Sequence, residues 1–512
     1  MFDDFTSKPV EFLSAWKTEK KLRENCSQTS EILTYEVESQ TRRPRHAECQ
    51  TESLIDLLNS SASPSQNLSY DQVTLSDFLK GVEPVVSKQL KVNIAAYSFY
   101  SGIFKTHDGL SELSITCEHC LEEKGYTSVQ GLKKEATCIS WSSSGASIAV
   151  SYGTNESIAW SDERSYVCLW NLDRPKMKSD ACDQKVELGS SVQTLSFHPL
   201  YAGYLAAGLF SGVVLIWDIA KDEIVYGETS HEDPVTCLSW LEHHNSKYLH
   251  LLTGSSDGQL MLWRHRKGKE GAAIKLEKAM RILGSNLPRR AGVKGHNPVG
   301  ITCFAPARND TETVRHEKLL SSSDVLAVGC ENGSVLKCNI ESPSNNPVVF
   351  VYEGHIGPVY SVDWSPFHRH LFLTCSTDQT CRLYHTLQVA PLREIRPEEA
   401  VGGKQTNYLY SALWSPTKPL LFYTAGSRGC IEVCDVASAS SITSLEATGK
   451  DGKLCPINTM QISYKRANML ATGSSSGVVN IYKLGVQLVD ADRVLEETKV
   501  LEDLANEAMT SD

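Results

Sequence analysis

Residues 251–263 read LLTGSSDGQLMLW: an apolar run, a Ser-Asp-Gly turn and a second apolar run that ends in Trp263. Asp257 and Gly258 form a dipeptide that tolerates the positive φ values of a tight hairpin turn. Bulky apolar residues on both sides of such a turn favour β-strands. The segment therefore predicts two antiparallel strands joined by a short turn.

The same unit recurs along the chain, so it is a repeat rather than an isolated hairpin. Six copies place an aromatic residue or Cys six positions after the turn residue: SGVVLIW (211–217), DGQLMLW (257–263), NGSVLKC (332–338), DQTCRLY (378–384), RGCIEVC (428–434) and SGVVNIY (476–482). A seventh, less regular copy ends in SYVCLW at Trp170. Preceding strands have the form CLSW, SVDW or SALW, and four strands per period of about 40–50 residues are typical of WD-repeat blades. We therefore predict an all-β fold, a seven-bladed WD-repeat β-propeller over residues 130–485.

Two of the predicted blades contain polar residues at the offsets of the WD-repeat hydrogen-bond tetrad. They are His231, Ser255, Asp257 and Trp263 in the third blade, and His355, Ser376, Asp378 and Tyr384 in the fifth. His, Ser and Asp together also fit hydrolytic catalysis, but no copy offers a separate nucleophile with its own oxyanion donors. A buried polar chain that ties a loop to its turn explains the same residues. We predict a structural role for them and no enzymatic activity.

One interval between the turns is longer than the others. The six turn residues lie 46, 75, 46, 50 and 48 positions apart, and the long interval predicts an insertion at about 264–296, before the fourth blade. This stretch has two acidic residues and ten basic ones, which are Arg264, Arg266, Lys267, Lys269, Lys275, Lys278, Arg281, Arg289, Arg290 and Lys294. It either meets an acidic partner surface or is a loop that its charge keeps solvated.

Composition limits the classes of protein that this chain can be. Among 512 residues, 50 Lys+Arg stand against 61 Asp+Glu, and the net charge of −11 argues against a nucleic-acid partner. The start, MFDDFTSKPVEF, has no apolar signal core, and no run approaches the about 20 apolar residues of a membrane helix. The 16 cysteines lack a framework spacing, and no second pair accompanies Cys117 and Cys120. We expect reduced cysteines, no secretion, no membrane insertion, no metal and no cofactor.

The first 68 residues form a polar segment rich in Ser, Thr, Glu, Gln and Lys. Such a segment cannot bury enough apolar surface to fold alone, so we predict a disordered arm over 1–68. Three Gln-Thr cores lie 12 and 10 residues apart in it, and their predicted contact residues are Ser27, Gln28, Thr29, Ser39, Gln40, Thr41, Cys49, Gln50 and Thr51. At about 3.3 Å per residue, extended cores stand about 35–40 Å apart, which lets separate partners add each peptide to a sheet edge. The alternative is coincidence in a low-complexity tail.

A helical segment is predicted at 69–100, between the arm and the propeller. Apolar residues recur there at steps of three and four and predict an amphipathic helix; they are Leu75, Phe78, Leu79, Val82 and Val86. Pro84 predicts a break or kink. The apolar stripe either packs on the propeller or docks into the groove of a partner. Residues 101–129 are expected to be a linker and residues 486–512 an acidic, helical tail.

The order of these parts resembles the dynein intermediate chains: Gln-Thr strands, an amphipathic helix and a divergent propeller. Three stretches of sequence carry the resemblance: GPVYSVDWSPFHRHLFLTCSTD (357–378) with the following CRLYHTLQVAPL, CLWNLDR (168–174), and HPLYAGYLAAGLFSGVVLIWD (198–218). Within the family they look most like the branch of the second cytoplasmic dynein, the retrograde intraflagellar-transport motor. The resemblance covers the propeller by sequence and the arm by layout.

The resemblance implies a non-catalytic scaffold of a motor. The propeller is expected to bind a dynein heavy chain, the helix a roadblock-type light chain, and the Gln-Thr strands hub light chains of the eight-kilodalton class beside a second intermediate chain. The expected locations are the cytoplasm, the cytoskeleton and the cilium, including the axoneme and the ciliary base. Two alternatives stay open: a WD-repeat adaptor of another complex, such as a ubiquitin ligase or signalling scaffold, and the intermediate chain of the first cytoplasmic or an axonemal dynein.

Overall fold

The structure of the protein is a computed structural model. It describes residues 76, 78–84, 86–88, 115–122, 134–153, 165–242, 248–266, 274–287, 297–307, 324–397, 407–447, 454–490 and 493–510. The chain divides into two units, Met1–Asp108 and Gly109–Asp512. The predicted arm, with its three Gln-Thr cores, lies outside the described residues.

Seven four-stranded antiparallel sheets make up the second unit. The first strand of each sheet contacts the first strands of both neighbouring sheets, and the seventh contacts the first, so the sheets form a closed ring. This arrangement confirms the predicted seven-bladed propeller. Seven buried apolar clusters, one at each junction between neighbouring blades, form its core.

The strands of the first three blades follow the chain in order. They are β2 (Glu135–Trp141), β3 (Ser147–Gly153), β4 (Ser165–Asn171) and β5 (Gln184–Leu188); β6 (Val192–Phe197), β7 (Tyr204–Leu209), β8 (Val213–Asp218) and β9 (Glu223–Thr229); and β10 (Val235–Glu242), β11 (Tyr248–Ser255), β12 (Gln259–Arg266) and β13 (Ile274–Arg281). A 3₁₀ turn at Gly284–Asn286 follows the third blade.

The remaining blades continue in the same order except at the end. Blades four to six are β14 (Ile301–Pro306), β15 (Val325–Cys330), β16 (Val335–Asn339) and β17 (Val348–Val351); β18 (Val359–Trp364), β19 (Leu371–Ser376), β20 (Cys381–His385) and β21 (Arg393–Ile395); and β22 (Leu409–Trp414), β23 (Leu421–Gly426), β24 (Cys430–Asp435) and β25 (Ser440–Glu446). Blade seven comprises β26 (Ile457–Ile462), β27 (Met469–Ser474), β28 (Val479–Leu484) and β1 (Ile115–Leu121).

The outer strand of blade seven comes from the start of the unit. β1 pairs antiparallel with β28, from Ile115 opposite Leu484 to Leu121 opposite Val479. Since β1 lies within 101–129, the prediction of a linker throughout that range is wrong. The physical reason is that β28 would otherwise present an unpaired strand edge to solvent, whereas β1 satisfies its backbone groups and closes the ring.

The turns between the second and third strands require backbone conformations that favour glycine. Five of them place a glycine at positive φ: Gly212 (78°), Gly258 (75°), Gly333 (83°), Gly429 (74°) and Gly477 (79°). In blade five Gln379 takes the same role at φ 69°. A Cβ atom on Gly212 would lie 2.1 Å from the carbonyl oxygen of His231. Both conformation and space therefore require glycine at that turn.

Residues 264–296 are not one basic insertion. Residues 264–266 complete β12, and Ile274–Arg281 form β13, the outer strand of blade three. Lys278 Nζ donates to the carbonyl oxygen of Ile340 at 2.7 Å and to that of Ser342, which fastens this strand to blade four. The extra length of the interval is spread over segments outside the described residues, at 267–273, 288–296 and 308–323.

Tryptophans at the ends of the first strands connect neighbouring blades. In three blades the indole N–H donates to a carbonyl oxygen in the first strand of the preceding blade: Trp141 to Gln461 at 3.2 Å, Trp240 to Ser196 at 3.2 Å and Trp364 to Ala305 at 2.8 Å. Trp414, at the end of β22, instead donates to the Pro419 carbonyl at 2.9 Å within its own blade. This repeated bond explains why the first strands end in Ser-Trp or Asp-Trp, since the side chain fills the blade junction and also satisfies a backbone acceptor.

Helices lie before and after the propeller. Residues 78–84 and 86–88 are helical (α1), and Pro84 is part of this helix. After β28 come α2 (Val486–Val489) and α3 (Val494–Thr510). Helix α3 buries Leu501 and Ala505 in the cluster between blades five and six. Among the described residues, no helix combines the length and apolarity that a membrane span requires.

Candidate functional site

The loops at one end of the ring are the first candidates for function, because loops on a rigid scaffold carry many binding sites. We call this end the turn face; it holds the turns between second and third strands and the connections into each first strand. In blades two to seven the turn donates a backbone N–H to the residue before the first strand, as from Thr377 to Pro358 at 3.3 Å and from Ser427 to Tyr408 at 2.8 Å. The two sets of loops on this face are thus tied together.

In blade three a buried polar chain runs from the turn to the interior of the sheet. His231 Nδ1 lies 3.3 Å from Asp257 Oδ2, and His231 Nε2 lies 2.9 Å from Thr253 Oγ1. The indole N–H of Trp263 donates to the same Thr253 oxygen at 3.0 Å. The chain thus joins two strands, the turn between them and the loop before β10.

Blade five repeats the chain with one difference. His355 Nδ1 lies 2.8 Å from Asp378 Oδ2, and His355 Nε2 lies 2.7 Å from Thr374 Oγ1. Thr380 Oγ1 donates to Asp378 Oδ1 at 2.7 Å. The hydroxyl of Tyr384 instead donates to the carbonyl oxygen of Glu353 at 2.6 Å, so Tyr384 fastens the preceding loop.

The hydroxyl that links imidazole and carboxylate to the sheet differs from the predicted one in both blades. Thr253 and Thr374 contact the imidazoles, whereas Ser255 donates to the Asp233 carbonyl at 3.0 Å and Ser376 to the Gly357 carbonyl at 2.9 Å. Residues two apart in a strand share a face, so both members of each pair point the same way. The serine lies closer to the turn and satisfies the loop backbone instead.

The buried carboxylates of the two chains are held in the charged form. Burial alone would raise the pKa of Asp257 and of Asp378, but the hydrogen bond and charge of the neighbouring histidine lower it more. Their pKa values are therefore below the usual range for Asp, that of Asp378 well below it. Charged hydrogen bonds of this kind are stronger than neutral ones and suit a rigid fastening.

Burial decides between a catalytic and a structural role for these chains. Thr374, His355 and Asp378 have the connectivity of a hydrolase triad, with an imidazole between a hydroxyl and a carboxylate. Thr374 and Thr253, however, have no exposed surface at all. A hydroxyl that a substrate cannot reach cannot act as a nucleophile, so the geometry supports fastening of loops.

The fastened loops hold the residue that follows each histidine at the surface. Asp378 Oδ2 also accepts the backbone N–H of Ile356 at 3.2 Å, and Asp257 Oδ2 accepts that of Glu232 at 3.1 Å. Ile356 and Glu232 each directly follow the histidine of the chain. The two blades therefore hold an apolar and an acidic side chain at equivalent places on the turn face.

The remaining predicted binding residues belong to the N-terminal unit or lie outside the described residues. Ser27, Gln28, Thr29, Ser39, Gln40, Thr41, Cys49, Gln50, Thr51 and Leu75 are not described. In α1 the side chains of Phe78, Leu79 and Val86 are exposed by 63, 56 and 47%, and Val82 is half-buried. Much of the predicted apolar stripe is thus accessible.

The cysteines are a further set of candidate site residues. Cys117 and Cys120, the pair with zinc-like spacing, lie in β1, the strand that closes the ring. The 14 described cysteines carry thiols rather than disulfides. In the same parts of the chain, no three side chains of His, Cys, Asp or Glu are grouped as metal ligands would be.

Comparison with known proteins extends beyond the propeller. The WD domain, G-beta repeat family matches residues 224–264 and 346–385. A mouse cytoplasmic dynein 2 intermediate chain 2 is 31% identical over 517 aligned positions, which cover 96% of this chain and 90% of the relative. Its human counterpart is 30% identical, with 83% of this chain and 78% of the relative covered. A ciliary dynein intermediate chain 3 of Heliocidaris crassispina is 27% identical over 71% of this chain and 55% of its own. With a closed seven-bladed ring and this similarity along nearly its whole length, the chain belongs to the dynein intermediate chain family.

Proposed function

We propose that this chain is a non-catalytic intermediate-chain subunit of a cytoplasmic dynein that drives retrograde intraflagellar transport and cilium assembly. The observation that carries the proposal is the extent of the similarity to the mouse dynein 2 intermediate chain, 96% of this chain and 90% of the relative. A propeller adaptor of another complex would share the blades alone, since the fold by itself specifies no function. The similarity reaches into the N-terminal unit as well.

The proposed mechanism is scaffolding. The propeller binds a dynein heavy chain, α1 binds a roadblock-type light chain, and the Gln-Thr cores bind hub light chains that also hold a second intermediate chain. The exposed Phe78, Leu79 and Val86 support the role of α1, because an amphipathic helix gains stability by burying such a stripe in a groove. Weak contacts in series add up, because each later site binds within an already tethered pair.

Absence of turnover is part of the proposal. The two His–Asp chains of the propeller end on fully buried threonine hydroxyls, which supports a structural role. Motor force then comes from the heavy chain. The corresponding locations are the cytoplasm, the cytoskeleton and the cilium, including the axoneme and the ciliary base.

Affinity purification of the tagged chain from ciliated cells, with identification of the bound heavy chain by mass spectrometry, tests the proposal. The expected result is the heavy chain of the second cytoplasmic dynein together with both classes of light chain. Recovery of ubiquitin-ligase subunits without any heavy chain would contradict it. Recovery of an axonemal heavy chain would assign the chain to a different dynein.

The arm has a test of its own. Replacing Gln28, Thr29, Gln40, Thr41, Gln50 and Thr51 together by Ala is expected to abolish calorimetric binding of hub light chains, since each core loses both anchoring side chains. Replacing six Ser or Thr residues of the arm outside the cores, such as Ser60, Ser61 and Ser63, is the matched control and is expected to leave binding unchanged. Retained affinity in the first variant would show that the cores are coincidental.

Helix α1 is tested by charge on its apolar stripe. Phe78→Asp with Val82→Asp is expected to release the roadblock-type light chain, because burying a carboxylate in an apolar groove costs several kcal/mol. Ser87→Asp, at an exposed position of the same helix, is the control. Co-purification of the light chain with the double variant would contradict the assignment of α1.

A further inference from the structure

Apolar side chains gather on the turn face of three successive blades. Ile356 precedes the first strand of blade five, Tyr360 lies in that strand, Tyr408 precedes blade six and Leu454 precedes blade seven. Their side chains are exposed by 92, 46, 42 and 47%, respectively. We call these four residues the apolar arc. Exposed apolar residues that neighbour one another, rather than occurring singly, mark interaction surfaces.

Three of the four residues of the apolar arc are held in place by hydrogen bonds or ring packing. The N–H of Ile356 is fixed by Asp378 at 3.2 Å. Tyr408 exchanges two hydrogen bonds with Ser427, one from its N–H to the serine hydroxyl at 2.9 Å and one from the serine N–H to its carbonyl at 2.8 Å. The ring of Tyr360 packs edge-on against that of Tyr410 at 5.6 Å. Side chains fixed before binding lose less entropy when a partner docks.

Acidic residues also lie on the turn face, in the loops and turns of blades three to five. Glu232, Asp233, Glu331 and Glu353 are exposed there. Glu353 lies three positions before Ile356, and of the four only Glu232 approaches a described basic side chain within salt-bridge range, Arg281 at 3.9 Å. Arg428, the described arginine at the turn of blade six, pairs with Glu432 at 3.7 Å. A partner that fits this face therefore combines apolar side chains with basic ones.

The position of Tyr360 is polar in three other blades, although blade two exposes Phe210 at its turn by 49%. The residues equivalent to Tyr360 are Gln193 in blade two, Thr236 in blade three and Thr302 in blade four. The threonine hydroxyls donate to backbone carbonyls of the next blade, from Thr236 to Ile301 at 2.6 Å and from Thr302 to Val359. In blades three and four this position thus joins neighbouring blades, whereas in blade five the exposed part of Tyr360 is available to a partner.

We propose that the apolar arc binds an amphipathic, basic segment of the dynein heavy chain, with aliphatic side chains on Ile356 and the tyrosines and Lys or Arg toward Glu331 and Glu353. The inference rests on the proposed function, which gives the propeller a heavy-chain partner. It adds which face and which blades make the contact. Tyr side chains are enriched among residues that dominate binding energy, and Ile356 is the most exposed of the apolar residues of this face.

The test measures binding of the full chain to a co-expressed heavy-chain tail. Ile356→Glu places in blade five the residue that blade three already carries at the equivalent position, so the loop tolerates it. Combined with Tyr408→Ser, it is expected to weaken binding at least about tenfold, the loss typical of central interface residues. The melting temperature is expected to stay unchanged, because both side chains are exposed.

Two matched variants separate the possible outcomes. Glu232→Ile makes the reverse exchange in blade three, and Leu200→Glu adds a charge at an exposed position between β6 and β7, on the opposite face; both are expected to bind the tail as the natural chain does. Unchanged binding by Ile356→Glu with Tyr408→Ser, or loss confined to Leu200→Glu, would overturn the inference while leaving the proposed function intact. Failure of the natural chain itself to bind any heavy-chain tail would overturn both.

Discussion

A single carboxylate on the turn face, that of Asp257, connects the β11–β12 turn to the loop before β10. Asp257 accepts from His231 and from the backbone N–H groups of Glu232 and Gln259, the last at 2.8 Å. Losing a carboxylate therefore leaves several buried donors without partners, and such orphaned groups cost more than the bond itself is worth. These hydrogen bonds fix the loop that carries His231 and Glu232, so its exposed side chains keep a defined position.

The residue-scale prediction concerns this fastening. Asp257→Ala is expected to lower the free energy of unfolding by about 1–3 kcal/mol, because it leaves buried partners unsatisfied. Asp378→Ala is expected to do much the same in blade five. Asp233→Ala, at an exposed position in the loop that carries His231, is the control and is expected to change the value by less than about 0.5 kcal/mol. Urea denaturation measures all three, and an Asp257→Ala variant as stable as the control would contradict the buried chain.

His368, His370 and His385 lie together at the face opposite the turn face, and their burial predicts that stability depends on pH. Burial lowers the pKa of His368 to about 4, with further lowering by His370, His385 and Arg369. Burial also lowers the pKa of His370 and His385. The unfolded chain then binds more protons than the folded one below the ordinary histidine pKa of 6.5, so acidification favours unfolding.

The expected outcome is a melting temperature that falls as pH is lowered from 6.5 toward 4. His368→Gln removes one of the three titrating groups while keeping a hydrogen-bonding side chain. The melting temperature of this variant is therefore expected to fall less over the same pH interval. Calorimetry at pH 7.5 and 5.0 measures the difference between the two proteins. An equal fall in both would show that other groups cause the acid sensitivity.

Some residue roles were predictable from the sequence and others were not. The positive φ at Gly258 followed from Asp-Gly, but nothing local announced that Gln379 would adopt φ 69° in blade five. There, Asp378 and Thr380 bond to each other and to His355, and the tertiary network sets the turn against the preference of Gln. Likewise, Thr253 contacts the imidazole in place of the predicted Ser255. Both hydroxyls lie on the same face of one strand, so the local sequence could not decide between them.

At the scale of elements, helix α3 packs against the junction between blades five and six. Leu501 is fully buried in the cluster that contains Trp414 and Phe422. Lys418 Nζ and Glu497 Oε1 form a salt bridge at 3.4 Å beside it, with side chains mostly withdrawn from solvent. The C-terminal segment thus belongs to the folded core rather than to a solvated tail.

The element-scale prediction compares two leucines of this helix. Leu501→Ala is expected to destabilise the propeller by about 2–5 kcal/mol, since it removes buried methyl groups and leaves a cavity. Leu495→Ala, at a position 80% exposed in the same helix, is expected to change stability by less than about 0.5 kcal/mol. Guanidinium denaturation measures both. Equal effects would mean that α3 does not pack on blades five and six in solution.

Hairpins made within one repeat were predictable, whereas elements that depend on distant partners were not. Every repeat carries its own turn residues, so the strands on either side follow from local sequence. β1 has no turn of its own, and it pairs with β28 near the other end of the chain. Likewise the polar composition of α3 indicates a helix but not the blade junction on which it packs.

For the whole molecule, closure of the ring is the decisive event. Besides the β1–β28 ladder, hydrogen bonds and an ion pair join blade seven to blade one. The N–H of Glu122, just after β1, donates to the Ser179 carbonyl at 2.8 Å, and Arg466 pairs with Asp173. Asn458 donates to Glu135 at 2.9 Å, and Trp141 donates to Gln461 at 3.2 Å. Leu121, at the end of β1, is fully buried. The junction thus depends on a strand supplied from outside the last repeat.

The whole-molecule prediction concerns truncation on either side of β1. A chain that begins at residue 109 is expected to melt cooperatively at the temperature of the full chain, because β1 is retained. A chain that begins at residue 123 is expected to melt lower and to aggregate, because β28 becomes an exposed edge and Leu121 leaves the core. Light scattering and calorimetry report both effects. Equal stability of the two truncations would show that β1 does not close the ring.

We proposed that this chain serves the retrograde motor of the cilium. The most direct measurement is live imaging of transport along cilia in cells whose own copy of this chain has been removed, with and without re-expression of the full chain. Without the chain, retrograde movement is expected to fail and material is expected to accumulate at ciliary tips. Re-expression of the full chain is expected to restore return traffic. Retrograde movement at normal frequency in cells without the chain would contradict it.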